Sequence, residues 1–357
     1  MGGPVAHDRG SHSLHEHLQA QRRYKRKRRT GFADSDLSGD CTHKCQCCRY
    51  KHCDNKFLGS QGRGDHNAHL RPLSVPVNAV TTMRPVLISS LSNPRVKAVV
   101  KLRQRSHRDE QGLMLIEGYR EIKRALENRH IPKTLFVCRD LFQGTNEPAL
   151  IEQCRAAGVE ILECAEPVFR KMAYRDRPEG LLAVAPQIKR RLADLALLSD
   201  PLIVVAEAIE KPGNLGTILR SADAAGAHAV IVCDRCTDIN NPNVVRASIG
   251  TLFAVPVVEA GSQETLAWVR AHGIRTVAAT PHATVLYTAV DLRGPTAIVL
   301  GTEQYGLSNA WLESSDIKVR IPMFGQADSL NVAAAATILL YEAVRQRLAS
   351  GTPIGRA

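Results

Sequence analysis

Residues 202–226, LIVVAEAIEKPGNLGTILRSADAAG, begin with an apolar run and continue through a Pro-Gly turn into a helical pattern. The apolar run at 202–206 predicts a buried strand. The helix that follows has one buried face, formed by the apolar residues Leu215, Ile218, Leu219 and Ala222 at helical spacing. Arg220 lies off that face, so its side chain faces a cleft or solvent, and Asn214 stands at the start of the helix.

The same alternation continues towards the C-terminus. Strands are predicted at 202–206, 228–233, 254–258, 275–279, 296–300 and 317–321, and helices are predicted to begin near Asn214, Asn243, Gln263, Leu307 and Leu330. Near-continuous apolar strands separated by helices indicate an α/β fold whose parallel sheet is covered on both faces. Ligands of such sheets bind beyond the carboxyl ends of the strands, where Thr280, Gly301 and Ile321 lie.

Two further segments place polar residues at strand ends. In residues 297–308, AIVLGTEQYGLS, Gly301 and Glu303 follow an apolar strand, and a glycine there permits either close approach of a ligand or an ordinary turn. In residues 321–336, IPMFGQADSLNVAAAA, Ser329 and Asn331 precede an Ala-rich helix. They suit a ligand site at the helix N-terminus, and equally the simple capping of its free amides.

Residues 86–186 alternate between shorter helical and strand-like pieces, which predicts a second, smaller α/β domain. Its first helices carry the basic residues Arg95, Lys97, Lys101, Arg103, Arg105 and Arg108. Such a cluster is either a surface for RNA phosphates or a solvated helix face.

Overall composition favours a polyanionic partner, because the net charge of the 357 residues is +12. No apolar stretch reaches the roughly 20 residues of a membrane-spanning helix, and the first residues lack the apolar core of a secretory signal. The cysteines Cys138, Cys154, Cys164, Cys233 and Cys236 mostly adjoin apolar runs, which predicts reduced, buried thiols. We therefore expect a cytoplasmic protein with no membrane segment.

The first 83 residues differ from the rest of the chain. They contain 14 Lys and Arg against 7 Asp and Glu, with almost no apolar periodicity, so we expect a disordered basic extension. Five cysteines within 41–53, with His43 and His52, suggest zinc, but their crowded spacing fits a structural site poorly and we predict no metal. Met83, where patterned sequence begins, is an alternative start of the protein.

Three motifs now stand in order: Asn214-x-Gly-x-x-x-Arg220, Gly301-x-Glu303 and Ser329-Leu330-Asn331. Together they resemble the SpoU (TrmH-like) branch of the SPOUT RNA methyltransferases. Upstream, residues 88–97, ISSLSNPRVK, and 112–121, GLMLIEGYRE, resemble the small RNA substrate-binding domain that precedes the catalytic domain in many members. No Gly-x-Gly-x-x-Gly follows any predicted strand, which argues against a nicotinamide-dependent oxidoreductase.

The resemblance implies a C-terminal parallel-sheet SPOUT domain with a deep trefoil knot, in which S-adenosyl-L-methionine is held mainly by backbone groups. By motif position the cofactor-binding residues are Thr280, Gly301, Ile321 and Leu330, and the catalytic set is Arg220, Asn214, Glu303, Ser329 and Asn331. Arg220 acts as a base or by stabilising alkoxide charge, and Glu303 fixes the arginine or the loop. The resemblance also implies a homodimer in which Arg220 completes the site of the facing subunit.

These predictions divide the chain into an extension at 1–83, an RNA substrate-binding domain at 84–187, a linker at 188–200, a catalytic domain at 201–350 and a tail at 351–357. The predicted activity is methyl transfer to a ribose 2′-hydroxyl of RNA, with ribosomal RNA as the expected partner. Two alternatives stay open: a transfer RNA 2′-O-methyltransferase, and a catalytically silent RNA-binding protein of the same fold.

Overall fold

Two β-sheets, each with helices packed on its faces, make up the part of the chain that the computed structural model describes, residues 87–352 and 354–355. These residues belong to one compact unit, Ala79–Ala357. The predicted extension at 1–83, its cysteine-rich segment and the alternative start at Met83 lie outside the described residues.

The smaller sheet lies in the N-terminal half of this unit. Its strands and helices, in chain order, are β1 (Leu87–Ile88), α1 (Pro94–Lys101), α2 (Arg105–Gln111), β2 (Leu113–Glu117), α3 (Tyr119–Glu127), β3 (Thr134–Val137), α4 (Glu147–Ala156), β4 (Glu160–Cys164), α5 (Glu166–Met172) and β5 (Leu181–Pro186). The strand order is β1-β4-β3-β5-β2. β1, β4 and β3 are parallel, whereas β5 runs antiparallel to both β3 and β2.

Alternation of side chains along β2 gives this sheet three layers. Met114 and Ile116 pack in the cluster that contains the buried residues of α3 and α4. Leu115, between them, packs in the cluster that contains the buried residues of α1 and α5. The helices α3 and α4 therefore cover one face, and α1 and α5 cover the other.

The larger sheet is entirely parallel, as predicted. Its strands and helices, in chain order, are β6 (Leu202–Glu207), α6 (Pro212–Ala224), β7 (Ala229–Cys233), α7 (Pro242–Ala247), β8 (Val257–Ala260), α8 (Ser262–Ala271), β9 (Arg275–Ala279), β10 (Val285–Leu286), β11 (Thr296–Leu300), α9 (Asn309–Ser314), β12 (Ile317–Arg320) and α10 (Val332–Ser350). The strand order is β10-β12-β9-β11-β6-β7-β8. The trefoil knot stays a prediction.

Three predicted boundaries shift for local reasons. The strand predicted at 254–258 begins at Val257, because Pro256 lacks the N–H that a ladder needs. The helix predicted near Leu307 begins at Asn309 behind its N-cap Ser308, and the one predicted near Leu330 begins at Val332 behind Asn331. The two-residue edge strand β10 was not predicted.

The thiol predictions are mostly confirmed. Cys138, Cys154, Cys164 and Cys233 are buried free cysteines, and burial raises the pKa of the Cys154 thiol to about 11. Cys236 is exposed, because it lies in the loop after β7 and not in the strand itself. None of the helices within residues 87–352 and 354–355 combines the length and apolar character that crossing a bilayer requires.

The two sheets share one hydrophobic cluster, which contains Met114 and Ile116 of β2 together with Val244 of α7 and Phe253. His130, which follows α3, stacks on Phe253 with ring centroids 4.9 Å apart. The first residue of the predicted linker, Ile188, donates its backbone N–H to Asn240 Oδ1 at 2.8 Å. The sheets are therefore packed directly against each other.

Arg108 of α2 departs from the predicted basic surface. Its side chain is 2% exposed and its Nη2 lies 2.8 Å from Asp238 Oδ2, in the loop after β7. Its Nη1 donates to the backbone carbonyls of Leu102 and Arg103. Both predictions for this cluster, a surface for RNA phosphates and a solvated helix face, are therefore wrong for Arg108, because its side chain is buried and its charge is paired with Asp238.

Candidate active site

The carboxyl ends of β6, β9, β11 and β12 lie at one edge of the parallel sheet, and the loops after β9, β11 and β12 surround a cavity of about 390 Å³. This volume falls within the roughly 300–1,000 Å³ of ligand-binding clefts. All four predicted cofactor residues line it, together with two of the predicted catalytic set: Thr280, Gly301, Ile321, Leu330, Glu303 and Ser329. The structure thus gathers at one place residues that are up to 50 positions apart in the sequence.

The walls of this cavity are mainly apolar. Apolar residues of β11, the loop before α9, α9, β12 and the start of α10 line it: Leu300, Leu307, Leu312, Val319 and Val332. The polar lining residues come from the loop after β9, the Gly301–Gly306 loop and the loop before α10. Such a cavity suits a ligand with a flat apolar part and a polar end.

Glu303 is the centre of a hydrogen-bond network beside the cavity. Its Oε1 accepts from Asn214 Nδ2 at 2.7 Å and from Asn331 Nδ2 at 2.6 Å, and its Oε2 accepts from the ammonium of Lys211. Asn331 Nδ2 also donates to Asn214 Oδ1 at 3.1 Å. Three loops, those after β6, after β11 and before α10, are therefore joined through one carboxylate.

The hydrogen bond from Lys211 is the largest cause of a lowered pKa of the Glu303 carboxyl, and the bonds from Asn214 and Asn331 act in the same direction. In return, the bond to Glu303 raises the pKa of the Lys211 ammonium. Both groups are therefore fully charged at neutral pH. Glu303 acts here as an acceptor that holds its neighbours and not as a proton donor.

Asn331 fulfils the capping role that the sequence allowed, and its role in a ligand site stays a prediction. Its Oδ1 accepts from the backbone N–H of Ala333 at 3.0 Å, which caps α10, while its Nδ2 donates to Glu303 and Asn214. Both N–H bonds of the Asn331 amide are thus used inside the protein. Among the described residues, the second N–H of the Asn214 amide has no acceptor.

Gly301 is required by its own loop. A Cβ on Gly301 would lie 2.3 Å from the backbone carbon and oxygen of Gly306 and 2.5 Å from the nitrogen of Leu307. Thr302 and Gly306 pair as an isolated antiparallel bridge, which folds the loop back over Gly301. The backbone that comes close to Gly301 is therefore that of Gly306 and Leu307 in the same loop.

Arg220 lies apart from this cavity. Its side chain is exposed on α6, and among the described residues it makes neither an ion pair nor a hydrogen bond. Glu303 accepts hydrogen bonds from Lys211 and the two asparagines and not from Arg220, and its role in fixing the loop stays a prediction. Ser329 is exposed on the cavity wall.

Sequence reasoning missed Lys211 and Tyr305. Lys211 directly precedes the Pro-Gly-Asn of the first motif. Because the first motif itself contains no acidic residue, this lysine could have indicated a carboxylate partner in another motif. Tyr305 lines the cavity and is 77% exposed. Gly301 and Gly306 indicated a loop at this position, but they did not indicate that the loop folds over the cavity. Within the described residues, no group of three metal-ligating side chains is brought together.

Fold and site define a class: an α/β protein whose ligand cavity lies at the carboxyl edge of a parallel sheet and is built without the Rossmann glycine fingerprint. The SpoU rRNA Methylase family matches residues 201–341, and the MRM3-like substrate binding domain matches residues 93–183. The chain belongs to the SpoU rRNA methylase family.

Individual relatives cover most of the chain. It is 36% identical over 263 residues to the 23S rRNA (uridine(2479)-2'-O)-methyltransferase of Streptomyces viridochromogenes, covering 70% of this chain and 89% of that protein. A crystal structure of an RNA 2'-O ribose methyltransferase is 46% identical, with a TM-score of 0.65 over 74% of this chain and 100% of the other. The SpoU methyltransferase AviRb from Streptomyces viridochromogenes, solved with the cofactor AdoMet, is 35% identical, with a TM-score of 0.66 over 72% and 100%.

Proposed function

We propose that this protein transfers a methyl group from S-adenosyl-L-methionine to a ribose 2′-hydroxyl of ribosomal RNA. The observation that carries the proposal is the cavity at the carboxyl edge, where residues of the second and third motifs line one wall and the Glu303 network joins them to the first. The relative from Streptomyces viridochromogenes, named for 2′-O-methylation of 23S rRNA, supports the reaction and the RNA class. The AdoMet-bound AviRb structure supports the cofactor.

The cavity fits the cofactor by size and by chemistry. Its volume of about 390 Å³ and its apolar walls suit the adenosine part, and Thr280, Gly301, Ile321 and Leu330 would hold it. When bound, the cofactor supplies an electrophilic methyl group on a sulfonium. The protein's task is then to place an RNA hydroxyl in line with that methyl and to lower the cost of its deprotonation.

We assign the polar residues as follows. Lys211, Glu303 and Asn331 are positioning residues, because the hydrogen bonds of their side chains go to one another, to Asn214 or to the backbone of α10. Asn214 presents its remaining N–H, and Ser329 its hydroxyl, towards ribose. Arg220 orients a phosphate and stabilises developing alkoxide charge, since a free guanidinium, with a pKa above about 12, resists deprotonation.

We also propose that the protein acts as a homodimer in the cytoplasm, with Arg220 completing the facing subunit's site. An exposed Arg220 outside its own cavity supports this arrangement. Helix α10, which packs on α6 through a 2.7 Å hydrogen bond between Ser221 Oγ and Thr337 Oγ1, exposes Tyr341 and Leu348 on its surface. A second copy covering these side chains would bring Arg220 to an interface.

The smaller sheet is assigned to RNA. The match of residues 93–183 to a substrate binding domain supports a division into a substrate-binding part at 84–187 and a catalytic part at 201–350. Direct packing of the two sheets supports rigid presentation of RNA to the cavity. The segment 188–200 is then a connection fixed by contacts such as that of Ile188 with Asn240.

The activity is tested with ribosomal RNA purified from a deletion strain of the source organism and with radiolabelled S-adenosylmethionine. We expect incorporation at one ribose, which mapping of 2′-O-methylation locates, and no incorporation by Arg220→Ala although its cofactor Kd stays within a few-fold. Labelling of transfer RNA alone would support the first alternative. Cofactor binding without turnover on either RNA would support the silent RNA-binding protein.

Subunit mixing tests the assignment of Arg220 across the dimer. A cavity variant, Leu330→Arg, blocks cofactor binding, and Arg220→Ala removes the guanidinium. If Arg220 acts in the partner's site, a mixed dimer contains one intact site and activity returns on mixing the two inactive proteins. If it acts in its own subunit, mixing restores nothing.

A further inference from the structure

A second cleft, of about 400 Å³, opens on the smaller sheet, far in sequence from the three motifs. We call it the Tyr174 cleft and define it by the side chains of Arg103, Arg170, Tyr174 and Arg175, which line it with Ala173 and Pro178. Arg103 follows α1, and the other residues belong to α5 or to the loop between α5 and β5. The cleft therefore lies on the face that α1 and α5 cover.

Arg103 brings an uncompensated charge to this cleft. Its Nη2 donates to the backbone carbonyls of Lys171 and Ala173 at the end of α5, and no carboxylate among the described residues pairs with it. These two carbonyls fix the guanidinium while leaving its Nε and Nη1 without a partner in the described residues. A fixed guanidinium with free N–H bonds is suited to a phosphate oxygen.

The neighbouring surface reinforces this charge. The other arginines of the cleft are paired, Arg170 with Glu166 and Arg175 with Glu121 and Glu179. Within the described part of the chain, four further exposed cations on α1, α5 and the following loop have no ion pair: Lys97, Lys101, Lys171 and Arg177. The unpaired acid of the cleft is Asp176. The balance of unpaired groups is therefore strongly positive.

Tyr174 supplies a fixed aromatic ring. Its backbone N–H donates to Glu117 Oε2 at 2.6 Å, and its hydroxyl accepts from Asn243 Nδ2 at 3.1 Å. Because the residue is held at both the backbone and the end of the side chain, its ring is oriented before any ligand arrives. Unpaired RNA bases stack on such aromatic rings.

Contacts with the larger sheet fix the position of the cleft. Asn243, the partner of Tyr174, lies in α7, and Arg108 links the backbone carbonyl of Arg103 to Asp238. Asp238 and α7 follow the carboxyl end of β7, at the same edge of the parallel sheet as the cofactor cavity. RNA bound in the cleft would therefore lie beside residues that follow the catalytic edge of the larger sheet.

We propose that the Tyr174 cleft binds one nucleotide of the RNA substrate outside the methylated position. Arg103 and Arg170 contact its phosphodiester, and its base packs on Tyr174 between the apolar walls of Ala173 and Pro178. The proposal rests on the proposed function for the identity of the RNA. Beyond that function, the proposal names a nucleotide-binding site on the smaller sheet, in which the positive charge of Arg103 pairs with the single negative charge of one phosphodiester.

The test compares the wild-type protein with Arg103→Gln, Arg170→Gln and Tyr174→Leu, using ribosomal RNA from the deletion strain. Arg155→Gln is the matched control, because Arg155 is exposed in a similar intrahelical pair but lies on α4, on the opposite face of the sheet. Filter binding at several salt concentrations gives RNA Kd, and methylation assays give kcat and the KM for RNA. Circular dichroism checks the fold of each variant.

We expect Arg103→Gln and Arg170→Gln to raise RNA Kd and KM about tenfold, the usual cost of losing a hydrogen bond to a charged group. Each should lower the slope of log Kd against log salt by about 0.7–0.9, with kcat and cofactor Kd unchanged. Tyr174→Leu should raise RNA Kd without changing that slope, and Tyr174→Phe, which keeps the ring, should bind nearly as the wild type does.

RNA Kd and salt dependence equal to those of Arg155→Gln in both folded arginine variants would overturn the proposal. Arg103→Gln could fail to fold because it loses the hydrogen bonds to the carbonyls of Lys171 and Ala173. In that case the RNA Kd values of Arg170→Gln and Tyr174→Leu test the proposal. A wild-type protein that binds this RNA but does not methylate it would refute the proposed function alone, since the binding comparison still tests the cleft.

Discussion

Arg108 and Asp238 form a buried ion pair, with an Nη2–Oδ2 distance of 2.8 Å and with only 2% and 5% of their side chains exposed to solvent. It joins α2 of the smaller sheet to the loop after β7 of the larger one. Two ions without access to water stabilise a structure only as a pair, because either one alone keeps its desolvation penalty. This contact therefore fixes one particular arrangement of the two sheets.

Removing Arg108 alone should be strongly destabilising. We expect Arg108→Met to lower the free energy of unfolding by about 3–5 kcal/mol, because Asp238 is left buried and unpaired. The double variant with Asp238→Leu should recover part of this loss. Arg105→Gln on the same helix, which breaks an exposed pair with Asp109, should cost about 1 kcal/mol or less. Urea unfolding of the four proteins measures these differences, and equal losses in Arg108→Met and Arg105→Gln would contradict the burial argument.

Asn331→Asp separates the capping role of Asn331 from its role in the network. Aspartate caps a helix as well as asparagine does, but it would place a second carboxylate beside Glu303. We expect cofactor Kd at pH 8 to rise about tenfold or more, because like charges at this distance repel.

The pH dependence of this variant has a definite sign. In the wild type the pKa of Glu303 is lowered, so its carboxylate stays ionised and cofactor affinity should be flat from pH 8 to pH 5.5. In the variant the two carboxylates share a raised pKa, so affinity should improve as pH falls. Calorimetry across this range checks it, with Asn146→Asp, at an exposed helix start, as the control. A loss independent of pH would refute the charge argument.

Gly301→Ala should displace the loop that closes the cavity. The added Cβ would meet the Gly306 backbone at 2.3 Å, so the loop must move, and we expect a loss of about 1–3 kcal/mol in stability together with weaker cofactor binding. Gly325→Ala is the control, because a Cβ there has no neighbour within 4 Å among the described residues. Melting curves and calorimetry compare the two, and unchanged affinity in a folded Gly301→Ala would disprove the role of this loop.

Glu117 should make stability depend on pH. Burial raises the pKa of its carboxyl above 4.5, so its contribution to stability is complete below about pH 4.5 and is lost as pH rises through the folded pKa. Glu117→Gln keeps an acceptor for the N–H groups of Tyr174 and Arg175 but carries no charge. We expect the variant to be more stable than the wild type at pH 8 and equal to it at pH 4.5.

Thermal unfolding from pH 4.5 to pH 8 measures this difference. Glu127→Gln on α3, which removes an exposed carboxylate paired with Lys123, should show no such trend. A Glu117→Gln variant that is less stable than the wild type at pH 8 would show that Arg175 outweighs burial.

The strands of the larger sheet were predictable because a parallel sheet buries both faces of each strand. Runs such as Leu202–Glu207 and Thr296–Leu300 are consequently apolar throughout, and every strand predicted in this region is present, with β8 displaced by Pro256. The order of the three motifs likewise indicated which loops would meet. The antiparallel direction of β5 was not predictable, because the pattern of a strand carries no information about the direction of its neighbours.

Burial of charged residues could not be inferred from local sequence. Arg108 stands in a run of polar residues, and its partner Asp238 lies 130 positions away, so nothing nearby distinguishes it from the exposed Arg105. The apolar wall of the cavity was missed for a related reason. Leu312 and Val332 have the spacing of ordinary core residues, and only the folded structure shows that they face a cavity.

The central position of β11 also determines how the chain folds during synthesis. Thr296 pairs with Leu202 on one side and with Arg275 on the other, so β11 inserts between the nearby strand β9 and the strand β6, which lies far upstream in the sequence. Until residues 296–300 emerge, β6 has a partner on one edge only, and the unpaired N–H and C=O groups of its other edge are open to other chains. Closing the long loop between β6 and β11 is slow, so we expect the insertion of β11 to limit the rate of refolding. Chains in which β11 has not yet inserted should be the ones that aggregate.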